Sequence, residues 1–92
     1  MIEVVLQDYA GTYVVQSHAR VTILVRAEGG YLIMQVSGQP ELALMPVSAA
    51  KFTVAGTDDW VEFVEDANYT DGSRIRQLRL FQGGQLLIAQ RQ

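Results

Sequence analysis

Two pairs of adjacent glycines, Gly29-Gly30 and Gly83-Gly84, constrain this chain more than any other feature. Each pair interrupts a run of β-branched, aliphatic and aromatic residues. Two consecutive glycines accept the positive φ angles that a two-residue primed hairpin requires. Before the first pair, residues 20–28 alternate, with Val21, Ile23 and Val25 on one face and Thr22, Leu24 and Arg26 on the other. Residues 31–37 return with Leu32, Met34 and Val36 on the inner face, and residues 74–81 and 85–91 flank the second pair. Shorter runs at 11–16, 42–47, 51–55 and 60–65 complete eight strand candidates. A strand every 8–12 residues or so is the pattern of an all-β barrel or sandwich. The one helical candidate, residues 2–8, places Ile2, Val5, Leu6 and Tyr9 in an i, i+3, i+4, i+7 stripe that could plug a barrel end. The expected fold is therefore all-β: a closed or nearly closed antiparallel eight-stranded up-and-down barrel, preceded by a short helical turn.

At eight strands a barrel is just wide enough for side chains to fill it or to leave room for one small ligand. The expected inward set is Tyr13, Val15, Val21, Ile23, Val25, Leu32, Met34, Val36, Leu42, Leu44, Phe52, Val54, Val61, Phe63, Ile75, Leu78, Leu80, Leu86 and Ile88. These are bulky residues, which favours a packed core over a ligand cavity. One irregularity stands out: Ile75 has odd parity whereas Leu78 and Leu80 have even parity, so strict alternation cannot bury all three. A β-bulge near Arg76-Gln77 would insert the missing residue and leave Arg74, Arg76 and Arg79 facing solvent.

Composition narrows the function classes. At 92 residues, 49% hydrophobic and 18% charged, the chain is one ordered domain spanning residues 1–92. A net charge of −3 argues against phosphate-driven nucleic-acid binding. No apolar run approaches the roughly 18 residues of a membrane-spanning helix, so no membrane partner is expected. Without cysteine there is no disulfide, zinc-thiolate site or thiol nucleophile, and neither a metal nor a cofactor is expected. The opening Met1-Ile2-Glu3-Val4-Val5-Leu6-Gln7-Asp8 lacks a basic n-region and a cleavage site, so a signal peptide is not expected in this chain.

Four constellations could carry chemistry, and each has a simpler reading. Ser48 and Lys51 match a Ser-x-x-Lys spacing, which acts catalytically where the serine opens a helix. Here they lie between strand candidates just after Pro46, so a corner is expected. Asp66-x-Asn68-x-Thr70-Asp71-Gly72 begins like a calcium loop, but the sixth and twelfth positions hold Asp71 and Gln77 where Gly and Glu are needed. It reads as a hairpin loop that also contains the sequon Asn68-Tyr69-Thr70. His18 falls in a polar connection and reads as a surface residue. Glu62 and the neighbouring acids are expected to face Arg76 and Arg79 across a hairpin, as ion pairs rather than catalytic carboxylates. No catalytic residue is expected.

The outer face is more informative. If the inward set holds, Leu24, Ile33, Met45, Val64 and Leu87 point outward with Trp60 nearby. Scattered single exposures are the simpler reading, whereas a contiguous apolar patch of that kind marks an interaction surface.

The series Leu6-x-x-Tyr9-x-Gly11-x-Tyr13, Leu32-x-x-Gln35-x-x-Gly38-Gln39-Pro40, Leu44-x-Pro46-x-Ser48-x-x-x-Phe52, Val61-x-Phe63, Asp71-Gly72 and Ile75-x-x-Leu78-x-Leu80 to Ala89-x-Arg91 covers residues 6–91. In order and spacing it resembles the lipocalin-like β-barrel domains at the C-terminus of serine β-lactamase-like hydrolases. The resemblance implies a lipocalin-like barrel without catalytic residues of its own, since in that family the hydrolase domain supplies the serine, lysine and tyrosine. It also implies a partner, either a serine hydrolase domain or a second copy in a homodimer. Here the barrel stands alone, as an excised domain or a free-standing relative would. The rival reading is a small-molecule carrier using the barrel mouth.

Overall fold

The computed structural model describes residues 6–92. A 3-10 turn, Leu6–Asp8, leads into eight strands: β1 Gly11–Val15, β2 Thr22–Glu28, β3 Tyr31–Val36, β4 Leu42–Pro46, β5 Lys51–Val54, β6 Trp60–Glu65, β7 Ile75–Gln82 and β8 Gln85–Arg91. Each strand pairs antiparallel with the next, and β8 returns to β1, so the sheet closes as an up-and-down barrel. Closure leaves no sheet edge running the length of the molecule. Both glycine pairs make the expected hairpins, with φ of 59° and 85° at Gly29-Gly30 and 58° and 80° at Gly83-Gly84. The expected helical segment is seen only from Leu6 onward; Ile2 and Val5 lie outside the described residues.

The interior is packed by alternate residues from every strand. Tyr13, Ile23, Leu32, Met34, Leu44, Val61, Leu78 and Leu80 are wholly buried, and Phe52 and Phe63 nearly so. Val21 and Leu42 are partly buried against this core. The bulge occurs where the parity conflict places it: Val64 faces Gln77 and Glu65 faces Ile75, leaving Arg76 as the extra residue. Ile75, Leu78 and Leu80 are consequently all buried. Arg74 and Arg79 are exposed, while the half-buried Arg76 lays its guanidinium 4.0 Å from the centre of the Tyr69 ring.

Strand β8 departs from expectation. The expected phase puts Leu86 and Ile88 inward and Leu87 outward, and the structure has the opposite. Leu80 faces Leu87 and Leu78 faces Ala89 across the ladder, so Leu87 and Ala89 point inward with their buried partners. Leu87 packs against the core, whereas Leu86 is 50% exposed and Ile88 lies beside the outward Arg79. The cause is pairing. Three successive large apolar residues carry no alternation of their own, and register with β7 sets the phase.

The 3-10 turn plugs the end of the barrel that also carries the β4–β5 and β6–β7 loops. Tyr9 is buried there among Phe52, Phe63 and Tyr13. Its hydroxyl donates to the Ala49 carbonyl, and the Ser73 hydroxyl donates to the Asp8 carbonyl at 2.6 Å.

Candidate functional site

The six residues expected to form one outer patch do not come together. In an eight-stranded closed barrel β2 and β6 lie on opposite walls, so Leu24 on β2 and Trp60 on β6 face away from each other. Leu24, 48% exposed, sits diagonally from the half-buried Ile33, because Leu24 pairs with Gln35 and Ile33 with Arg26. Met45, 43% exposed, lies on β4 opposite Thr53. Trp60 and Val64 share the outer face of β6. Leu87 is inside, as described above, and drops out of the surface altogether.

What the wall of β6, β7 and β8 does carry is an apolar row assembled by register. Trp60 faces Phe81, and Phe81 faces Leu86. The Trp60 and Phe81 rings stack with centroids 5.6 Å apart and planes 7° from parallel. On the β5 side, Lys51 places its ammonium 4.8 Å from the centre of the Trp60 ring. One neighbour thus approaches the indole from each side, leaving its edge and the half-exposed Leu86 toward solvent. One step along the strands lies the row Glu62, Arg79, Ile88, and beyond it Val64, Gln77, Gln90. Sequence reasoning found Trp60 and missed Phe81 and Leu86. The bulge supplied the available signal, because once Leu80 is inward Phe81 must be outward.

The remaining candidates are placed by local geometry. Ser48 and Lys51 close a tight turn in which the Val47 and Ser48 amides both donate to the Lys51 carbonyl, at 2.8 and 3.2 Å. Lys51 starts β5 and points to Trp60, so the pair forms a corner and not a helical Ser-x-x-Lys site. His18 is exposed in the β1–β2 loop. In the β6–β7 loop the Asp66 carboxylate accepts the Asn68 amide at 3.0 Å, an Asx turn that shapes the loop. The Glu62–Arg79 ion pair forms as expected, at 3.9 Å, whereas Arg76 lies over the Tyr69 ring and against no acid among the described residues. On the far wall Arg26 bridges Glu28 and Glu41, and its hydrogen bond holds the Glu41 carboxyl below the usual range.

The plugged end is built from Tyr9, Gly11, Tyr13 and Arg91. Arg91 crosses the end of β1 and donates to the carbonyls of Ile75, Ala10 and Asp8 at 2.6, 2.8 and 2.6 Å. It also donates to the Tyr13 hydroxyl at 2.8 Å, which in turn donates to the Tyr9 carbonyl at 2.8 Å. Gly11 makes room for this clamp, since a Cβ there would lie 2.7 Å from Arg91 Nη1. Burial pushes the Tyr13 phenol up to about 12 despite the nearby guanidinium. Burial, with Glu65 and Asp8 adding repulsion, also raises Tyr9. β5 ends its pairing at Lys51–Glu62 while β6 runs on to Glu65. The step leaves a surface pocket of about 560 Å³ between Ala49, Ala50, Tyr9 and Phe63.

No family model matches the chain, and no curated protein is detectably similar to it in sequence.

Proposed function

We propose that this barrel is a non-catalytic interaction module of the kind appended to serine β-lactamase-like hydrolases, docking through its β6–β8 wall onto a hydrolase domain or a second copy of itself. The observation that carries the reading is the Trp60, Phe81, Leu86 row on the outside of a closed barrel. Inside the same strands, apolar residues bury one another. Outside, cross-strand stacking gives a single barrel only about 1 kcal/mol, while Leu86 stays half exposed beside it. The order of motifs from Leu6 to Arg91 supports the choice of partner class.

Titration followed by NMR tests this, because Trp60 is the only tryptophan and its indole N–H gives a single resolved signal. The labelled barrel is followed in a concentration series, then against a serine β-lactamase-like hydrolase domain encoded in the same genome. Shifts confined to β6–β8 and lost in Leu86→Glu are the expected result. No shift in either series rejects the docking reading.

A small-molecule carrier is the second reading. The filled lumen argues against it, and the pocket beside Tyr9 is the observation in its favour. Its size lies within the range of small-molecule sites.

A further inference from the structure

Resting on the docking reading, we infer that the β6–β7 ladder is a twofold interface whose partner is a second copy of this chain. The outward residues of that ladder pair across its two strands. Its three rungs are Trp60–Phe81, Glu62–Arg79 and Val64–Gln77. Each rung joins unlike residues, and the two strands carry opposite charge: Glu62 and Glu65 on β6, Arg76 and Arg79 on β7.

Self-association through one face requires that the face complement itself. Consider a twofold axis lying in the interface, parallel to the strands and midway between β6 and β7. Rotation exchanges the two strands but keeps each rung at its own level. β6 of one copy then covers β7 of the other. Glu62 meets Arg79 of the second copy, Arg79 meets its Glu62, and the four charges alternate around a ring. At the next level Trp60 lies over the second copy's Phe81 in both directions. A wall with one sign of charge on both strands would repel its own copy; this one attracts it in that orientation.

The ion pair within the chain leaves capacity for the second. Glu62 and Arg79 stand 3.9 Å apart, the limit of direct contact, with side chains 40% and 44% exposed. Arg79 Nε donates to Gln77 Oε1 at 3.2 Å, so among the described residues the terminal nitrogens hold only the long Glu62 contact. The aromatic row also points to a protein surface. Lys51 and Phe81 approach Trp60 from its two sides, which disfavours a planar sugar or base that needs a free indole face. Ring edges and the Leu86 side chain suit the irregular surface of another folded chain.

The size of the wall sets the expected strength. A standard interface takes about 800 Å² per partner, roughly a seventh of the 5793 Å² surface of this chain. A convex wall of three strands offers less, so the dimer belongs among weak complexes, with a Kd on the order of 0.1 mM.

Sedimentation or light scattering from about 10 μM to 1 mM, a range that brackets that Kd, tests the inference with four chains: wild type, Glu62→Arg, Arg79→Glu and the double reversal. The wild type is expected to move toward twice the 10.2 kDa chain mass as concentration rises. Each single reversal makes the ring all positive or all negative and should stay mostly monomeric over most of that range, a loss of at least about tenfold in affinity. The double reversal restores alternation and should dimerise, and so should an equimolar mixture of the two single variants. If a single reversal melts below wild type, Glu62→Gln and Arg79→Gln replace it and are expected to weaken the dimer without the repulsion. A wild-type chain that stays monomeric throughout overturns the second copy as partner, and the hydrolase titration then decides the docking reading by itself. A dimer that ignores both single reversals and Leu86→Glu overturns both.

Discussion

Phe63 and Trp60 lie three residues apart on β6 and end on opposite sides of the barrel wall. Phe63 is 3% exposed and meets Tyr9, Phe52 and Tyr13 with centroids 4.7, 5.7 and 5.9 Å away. Those three rings come from the N-terminal turn, β5 and β1, so the inner cluster ties distant parts of the chain to one point. Trp60 has Phe81 on one side, Lys51 on the other and solvent at its edge. The same residue class on one strand therefore holds the fold together from inside and offers contact from outside.

Phe63→Ala tests the inner half most severely. It removes a ring from a closed interior that cannot collapse around the loss, and the expected cost is about 3–5 kcal/mol. In thermal unfolding that is a fall of roughly 12 °C or more in Tm. A loss below about 1 kcal/mol would mean that the plugged end is far more plastic than its packing implies.

Gly11→Ala sharpens the comparison at the clamp. The new Cβ would press on Arg91 Nη1, at a φ of 155° that side chains rarely adopt, and Arg91 can retreat only by giving up its carbonyl partners. A loss of about 2–3 kcal/mol is expected in denaturant titrations. In an Arg91→Lys background the same alanine should cost less, with a coupling of about 0.5–3 kcal/mol between the two sites. Strict additivity would separate Gly11 from the clamp.

The inner cluster also predicts an alkaline limit. Tyr13 titrates at about 12 in the folded chain and near 10 when unfolded. Because its folded value is raised, its contribution is fully present below pH 10 and is lost as pH climbs from 10 to 12. Its size is on the order of 2 kcal/mol. Unfolding curves across that window should show stability falling with pH, and a flat profile would show that Tyr13 ionises as readily in the fold as in water.

Trp60→Ala should have the smallest effect, about 0.5–1.5 kcal/mol for the lost stack with Phe81. If it equals that of Phe63→Ala, the division between a structural inside and a contact-forming outside fails.

How much of this the sequence discloses depends on where alternation is unambiguous. From β1 to β7 one face of each strand is apolar enough to declare itself. Even the bulge is legible, because Ile75, Leu78 and Leu80 conflict unless Arg76 is extra. β8 is opaque for the opposite reason: Leu86, Leu87 and Ile88 satisfy either phase, and the small Ala89 gives no hint that it belongs inside. That ambiguity removed Leu87 from the expected surface and hid Leu86. The scatter of Leu24 and Ile33 away from Trp60 has a different origin, since alternation tells inside from outside but not which wall. Tyr9 escaped the inward list because it precedes the first strand. The clamp links Arg91 to carbonyl oxygens, and a sequence carries no record of which carbonyls a guanidinium will reach.

The return of β8 to β1 has a consequence for how such a barrel can be used. Tyr13 lies opposite Arg91, so the polypeptide enters and leaves the fold at neighbouring points. Nothing in the sheet then distinguishes a first strand from a last one. A short bridge across that gap, with new ends cut at Gly83-Gly84, would give a circularly permuted barrel with the same interior. By the same geometry the whole unit can sit as an insertion in a single loop of a larger protein without prying its host apart.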